Sequence, residues 1–472
     1  MRTPNLLLSL ALMFTAAPAR AESPTVDAAP DGISPYLSFE AERIALIGVT
    51  VIDGKGHAPM REQTVLIDDG RIVAIGAHDA IRIPDDAKRL DLTGRTVIPG
   101  LVGMHDHSHM PGIPLLRETA PRLWLAAGVT TVQTAGAADA AGELALVHDI
   151  DTGRIPGPRI IASAPYVTGP DGNGPMDKPA TPDAARAFVR QWSARGVGWF
   201  KLYRHVQPDI AAALIDEAHR QGRKVTGHLC SLSFTEAAEL GIDRIEHGLI
   251  SASDFIADRE SGHCSPNRAS LRALDVDGDA VTALIERLVM KGVVLTSTLA
   301  IIESHFAHRP QGDARALAML GPGLRAAYDR RQHSLHDADA SDFFTPDLYA
   351  RLLRFERRFA SAGGVLVSGP DTGRHVIPGF GDQRNVELLV EAGFAVSEAI
   401  RIATHNGAHV LGIDDDTGSI EVGKRADLVV LHGDLASNAA VIRNAELVLH
   451  GGRAYNPARL LDGLEGRIGA ED

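Results

Sequence analysis

Apolar and polar positions alternate with three different textures along this chain. Between residues 44 and 75 the sequence consists of short apolar runs, 44–47, 49–52, 64–67 and 72–75, separated by turn residues such as Asp53-Gly54 and Asp68-Asp69-Gly70. Asp-Gly between such runs is a hairpin signal. A second group of β-rich runs, 426–431 and 447–449, appears only near the far end. Neither group alone covers both faces of a sheet. Together they predict a small β-sandwich built from both termini, residues 41–96 with 412–460, with the middle of the chain inserted as a second domain.

That middle, residues 97–411, alternates apolar strand-like runs with stretches of helical spacing. The runs are 102–105, 129–132, 159–161, 199–201, 224–226, 244–246, 293–295 and 365–367. Strand and helix in regular alternation predict a parallel sheet, and eight repeats predict an α/β fold closed as a (β/α)8 TIM barrel. In such barrels chemistry sits at the C-terminal ends of the strands.

The start of the chain has a texture of its own: Arg2, an apolar stretch over 6–17, then Ala19-Arg20-Ala21. This pattern predicts a secretory signal peptide over 1–21, because the apolar stretch is shorter than the ~20 residues that span a bilayer. Residues 22–40, polar and Pro-containing, are expected to be an unstructured leader. The mature protein is thus expected to be exported, and periplasmic if its source is Gram-negative.

Composition narrows the function classes. The chain has 472 residues, 44% hydrophobic and 23% charged, enough for a sizeable core. A net charge of −13 argues against nucleic acid or an anionic membrane as the main partner, and no later stretch is apolar enough to span a bilayer. Two cysteines, Cys230 and Cys264, exclude a Cys-rich zinc scaffold. The 20 histidines matter through their placement.

At the end of the first barrel run stand His105 and His107, two apart and therefore facing the same way on a strand. Lys201 ends the fourth run, His228 the fifth, His247 the sixth, and Asp371 follows the eighth in Ser368-Gly369-Pro370-Asp371. A satisfied core histidine or a snorkelling lysine accounts for any one of these alone. The joint pattern of four histidines, a lysine and an aspartate at five strand ends is specific.

With these residues in place, the chain resembles the amidohydrolase superfamily of metal-dependent hydrolases, in particular its imidazolonepropionase-like and prolidase-like members. The stretch from Ile98-Pro99-Gly100 to His105-Asp106-His107 carries the likeness most strongly, with Thr404-His405-Asn406-Gly407-Ala408 leading into the segment 418–428. The resemblance implies two divalent metal ions: His105, His107 and Asp371 would hold the buried ion and His228 and His247 the more exposed one. An N-carboxylated Lys201 would bridge them. Imidazole and carboxylate donors suit Zn2+ first, with Mn2+ or Co2+ compatible. Two such ions acidify a bridging water to a hydroxide and polarise a carbonyl, while Asp371, the catalytic residue, takes the proton and passes it to the leaving group. An amide leaving group needs that proton.

The expected function is therefore an exported binuclear metal-dependent hydrolase of C–N bonds in small amide substrates, such as Xaa-Pro dipeptides or N-acyl amino acids. A cyclic-amide or lactone hydrolase, or a deaminase, on the same scaffold stays open, as does a non-catalytic binding protein that keeps the fold. Polar side chains on the strand-to-helix loops, those of residues 166–174 after the third run, Tyr203, Arg204 and His205 after Lys201, and Arg374 and His375 after Asp371, are candidates for substrate contacts, with surface ion pairs as the competing account of the arginines. The connection 251–279 is long and charged, and reads as a lid or wall over the pocket. Cys230 and Cys264 lie in adjacent loops. They are candidates for a disulfide; the alternatives are an inert buried strand residue at Cys230 with an unrelated loop thiol at Cys264, or thiolate ligation of zinc. The sequence leaves a homo-oligomer open.

Overall fold

The computed structural model describes residues 32–174, 176–337 and 343–470. The expected signal peptide, 1–21, lies outside the described residues, as does the first part of the leader. The remainder of that leader is not unstructured. Ile33 and Leu37 are buried at 3% and 5% exposure, and strand β1 (Leu37–Phe39) pairs antiparallel with a strand from the far end. Three residues are too few to show an alternating pattern, so the sequence gives no sign of it.

β1 is the outer strand of one nine-stranded mixed sheet that joins both ends of the chain. From the N-terminal side come β2 (Arg43–Val51), β3 (Met60–Asp68), β4 (Arg71–Ala77), β5 (Lys88–Asp91) and β6 (Arg95–Pro99). β6 runs past the expected boundary at residue 96. The sequence reading expects a sandwich here, and the structure joins the strands of both termini in one continuous hydrogen-bonded ladder. The reason is β2, an unbroken strand where the sequence suggests two runs. On one edge it pairs with β3. On the other it pairs with β5 over Ile44–Ile47 and with β6 at Thr50 and Val51. The change of partner falls at Gly48, whose φ of 75° favours glycine and where a Cβ would come 2.7 Å from Thr93 Oγ1.

The middle of the chain forms two parallel sheets. β7 (Leu101–Asp106), β8 (Val129–Thr134) and β9 (Arg159–Ile161) make a three-stranded sheet. β10 (Ser163–Val167), β11 (Trp199–Leu202), β12 (Lys224–Gly227), β13 (Arg244–Glu246), β14 (Val294–Ser297) and β15 (Leu366–Ser368) make a six-stranded one. Each of the eight runs seen in the sequence overlaps one of these strands. They read as continuous apolar runs because parallel strands are covered on both faces; β7, β8 and β11 are buried at every position. The third run continues into β10 after a break at Ala162, whose carbonyl accepts from Gly198 N at 3.0 Å. Asp371 N donates to His105 O at 2.9 Å, which brings the segment after β15 beside the end of β7.

Helices between these strands follow ordinary start signals. In Pro182–Ser193, Thr181 accepts from Ala184 N and proline occupies the first turn, while Ala185, Phe188 and Val189 form the buried stripe. The remaining strands, β16 (Leu428–His432), β17 (Ala445–His450) and β18 (Arg453–Tyr455), return to the mixed sheet, where β16 pairs antiparallel with β6. Among the described residues no helix is long and apolar enough to cross a membrane.

Candidate active site

Six side chains expected at the strand ends line a single cavity of about 850 Å³: His105, His107, Lys201, His228, His247 and Asp371. Ligand atoms of His105, His247 and Asp371 lie within 4.8 Å of one another. Asp371 Oδ1 is 3.1 Å from His107 Nε2 and 3.5 Å from His105 Nε2, and its Oδ2 is 3.6 Å from His247 Nδ1. The His228 ring lies 4.4 Å from that of His247. Backbone strain gathers at the same place: His247, Asp371 and Arg374 adopt φ of 69°, 54° and 57°, a region that non-glycine residues rarely enter.

Burial decides the charge state of the donors. It pushes His105 down to about 4 and His247 to about 3, and holds His228 well below the ordinary imidazole range, helped by the nearby His247 and Lys201 charges. Burial alone would raise Asp371, but His105, His107 and His247 overcome it and hold the carboxyl well below the usual range. Neutral imidazoles around an ionised carboxylate are the donor set that a divalent cation requires. Lys201 fits the same reading. Its side chain is 1% exposed, its Nζ has no hydrogen-bond partner, and burial pushes it down to about 8. A buried amine whose nearest acid, Glu246, stands at 3.7 Å, beyond hydrogen-bond reach, is costly unless it is neutralised or converted.

Behind the ligands stands Glu246, a residue that sequence reasoning passed over as an ordinary strand position. Its carboxylate is fully buried, 2.6 Å from His105 Nδ1, 3.1 Å from Arg244 Nε and 3.7 Å from Lys201 Nζ. By accepting from His105 Nδ1 it leaves Nε2 free to face the cavity. The signal was present in Ile245-Glu246-His247, since a carboxylate beside a strand-end histidine is a poor core residue without a partner.

Of the expected substrate contacts, Tyr203 and Arg374 line the cavity. His205 does not. The chain turns after β11, and this turn presents Tyr203 and Arg204 to the cavity while His205 packs toward residues 169–171. Tyr166, at the head of the expected polar loop 166–174, also lines the cavity, and so does Arg268, which the sequence reading did not single out. Tyr166 lies 3.2 Å from both His107 Nδ1 and His109 Nε2, and Arg268 comes from the long connection after β13. That connection supplies Ile250, Ser251 and Arg268 to the cavity, in agreement with its reading as a wall. Cys230 and Cys264 are joined in a disulfide, which excludes a free thiolate ligand at either position.

Over residues 96–451 the chain matches the model of the amidohydrolase family. It is 24% identical over 409 residues to a 5-methylthioadenosine/S-adenosylhomocysteine deaminase of Symbiobacterium thermophilum, across 83% of this chain and 86% of the relative. An imidazolonepropionase of the same organism is 25% identical over 413 residues, across 82% and 89%. Among solved structures, a candidate prolidase from Bifidobacterium longum aligns with a TM-score of 0.65 at 27% identity, covering 90% of this chain and 100% of that one. A Xaa-Pro dipeptidase with methionine bound in its active site gives a TM-score of 0.61 at 20% identity, over 88% and 100%, a likeness of fold alone. These neighbours share an α/β fold with TIM-barrel-like sheets.

Proposed function

The chain belongs to the amidohydrolase family, metal-dependent hydrolases of C–N bonds, and from that premise we propose that it is an exported binuclear amidohydrolase acting on dipeptides or N-acyl amino acids, with Xaa-Pro dipeptides as the leading substrates. The observation that carries this reading is the convergence of His105, His107, Lys201, His228, His247 and Asp371 on one cavity. We assign the two parallel sheets, whose end strands β7 and β15 meet at His105 and Asp371, to one closed (β/α)8 barrel.

His105, His107 and Asp371 would hold one ion, and His228 and His247 the other. Lys201, as a carbamate formed from its amine and carbon dioxide with release of a proton, would bridge them. Two Zn2+ ions would polarise the amide carbonyl and acidify the attacking water. The chain's own residues supply the rest. Glu246 holds His105 in the ligating tautomer. Asp371, whose side chain keeps 23% exposure toward the cavity, accepts the proton of the attacking water and returns it to the leaving amine. Tyr166 orients His107 and His109 on the cavity wall. Export is supported by the N-terminal segment and by the disulfide, which persists in oxidising compartments.

The test joins elemental analysis with a substrate panel. Protein produced with zinc and bicarbonate is expected to hold about two ions per chain and to hydrolyse dipeptides or N-acyl amino acids. A single well-occupied ion in protein whose Lys201→Met variant binds metal equally well would remove the bridged pair. Turnover confined to adenosine derivatives or cyclic amides would move the chain to the deaminase or cyclic-amide reading.

A further inference from the structure

On the side of the cavity next to His228, two arginines stand without an acid. Arg204 follows β11 and Arg268 comes from the connection after β13; both are half-buried and both line the cavity. Among the described residues neither forms an ion pair with a carboxylate. Arg204 Nε is buried with no hydrogen-bond partner, and its Nη2 lies 3.8 Å from Cys264 Sγ. Arg268 Nη1 donates only to the carbonyl of Ile250, another cavity residue. Burial and then the charge of Arg204 push Arg268 down to about 10, so the two guanidinium groups feel each other. A half-buried pair of like charges is unfavourable unless an anion joins it. In a chain with 60 acidic residues and a net charge of −13, an acid on the wall could have neutralised this pair. Both guanidinium groups line the cavity, where a ligand would supply the anion.

The connection that carries Arg268 is held in place by few regular elements. Between the turn Ser253–Phe255 and the short helix Ser270–Ala273 it has no helix or strand. Its anchors are the ion pair of Arg259 with Glu236 and the disulfide from Cys264 to Cys230, which lies three residues beyond the end of β12. Gly262 N donates to Ser231 O at 3.0 Å beside it, and Gln207 Nε2 donates to Gly262 O at 3.1 Å. The bridge thus ties down, four residues before Arg268, the stretch that brings Arg268 to the cavity that Arg204 also lines.

We propose that Arg204 and Arg268 form a clamp for a carboxylate of the amide substrate, and that the Cys230–Cys264 bridge is a positioning element that keeps the clamp closed. The inference rests on the amide-hydrolase reading and adds to it the group that selects the substrate. A planar guanidinium pair matches a carboxylate with parallel charge-assisted hydrogen bonds, which a carboxamide cannot replace.

The experiment compares N-acetyl amino acids and dipeptides with their C-terminal carboxamides, by kcat/KM and by titration calorimetry on the metal-loaded, oxidised protein. The carboxylate members are expected to be favoured by about 100-fold, the scale of a charged bidentate contact. Arg268→Met is expected to narrow that ratio to within about threefold and Arg268→Lys to restore part of it, the loss lying mainly in KM. The Cys230→Ser/Cys264→Ser variant, assayed below its melting temperature, is expected to raise KM for the carboxylate members while their kcat holds. A ratio near one in the wild-type protein, or an Arg268→Met variant that lowers both series equally, overturns the clamp. Normal KM in the bridge variant overturns the positioning role. If neither series is hydrolysed, the amide reading fails, and calorimetry still decides the clamp: preferential binding of the carboxylate members upholds it, and equal or absent binding overturns it.

Discussion

Replacing Glu246 by glutamine keeps the shape of the site and removes one buried charge. In the wild-type protein this carboxylate is 0% exposed and serves four neighbours: His105 Nδ1 at 2.6 Å, Arg244 Nε at 3.1 Å, Lys201 Nζ at 3.7 Å and the Thr226 hydroxyl. Arg244 is equally buried. Besides Glu246 its side chain contacts the Gln133 amide and the face of Trp199 at 4.5 Å, with Asp243 acting on it only electrostatically. Breaking a buried pair by removing one partner costs about 3–5 kcal/mol, because the other charge stays in a low-dielectric interior. With roughly 2.1 cal/mol/K of unfolding entropy per residue, a chain of 472 residues has about 1 kcal/mol/K. The expected fall in melting temperature is therefore about 3–5 °C. Metal affinity is expected to fall as well, by about 10- to 100-fold, since His105 loses the acceptor that sets its tautomer. Calorimetric unfolding with and without zinc, together with zinc competition against a chelator, measures both. A second substitution, Arg244→Met, separates them: it is expected to recover much of the stability and none of the affinity. A Glu246→Gln protein with wild-type melting temperature and zinc affinity would refute the reasoning.

Three further outcomes are expected. Asp371→Asn is expected to keep most of its metal by elemental analysis while turnover falls by about 10²–10⁴-fold, the usual worth of a positioned acid–base group. Glu356, buried with one oxygen unpartnered, is raised by burial to about 8, so its contribution to stability is present below the unfolded carboxyl value and lost as pH rises through about 8. Glu356→Gln should flatten the fall in stability across that window, as read by denaturant melts at several pH values; an unchanged pH profile would argue against the assignment. Removing the disulfide, whose cysteines are 34 positions apart, is expected to cost about 3–4 kcal/mol, a drop of roughly 4 °C. Denatured, unreduced wild-type protein should show no reactive thiols.

The sequence alone determined the parts of this protein that local pattern can encode. Eight apolar runs marked the buried parallel strands, because a strand covered on both faces is composed mainly of apolar residues and admits polar ones only where they find partners. The strand ends then exposed the histidines, Lys201 and Asp371, since a polar side chain at the close of an apolar run needs a partner, and six such residues recur at matching places. Pairing across long separations was left to the tertiary structure. The change of partner along β2 at Gly48 joins strands from both termini into one ladder, and no local pattern announces which strand lies beside which. β1 was hidden for the same reason, because it gains its hydrogen bonds from β18 at the other end of the chain. At the site, only the folded chain decided that Arg204 rather than His205 faces the cavity, that Arg268 reaches it from the connection after β13, and that Glu246 supports His105 from behind. Loop side chains acquire their direction from the elements that anchor the loop, and here that anchor includes a disulfide between residues 230 and 264.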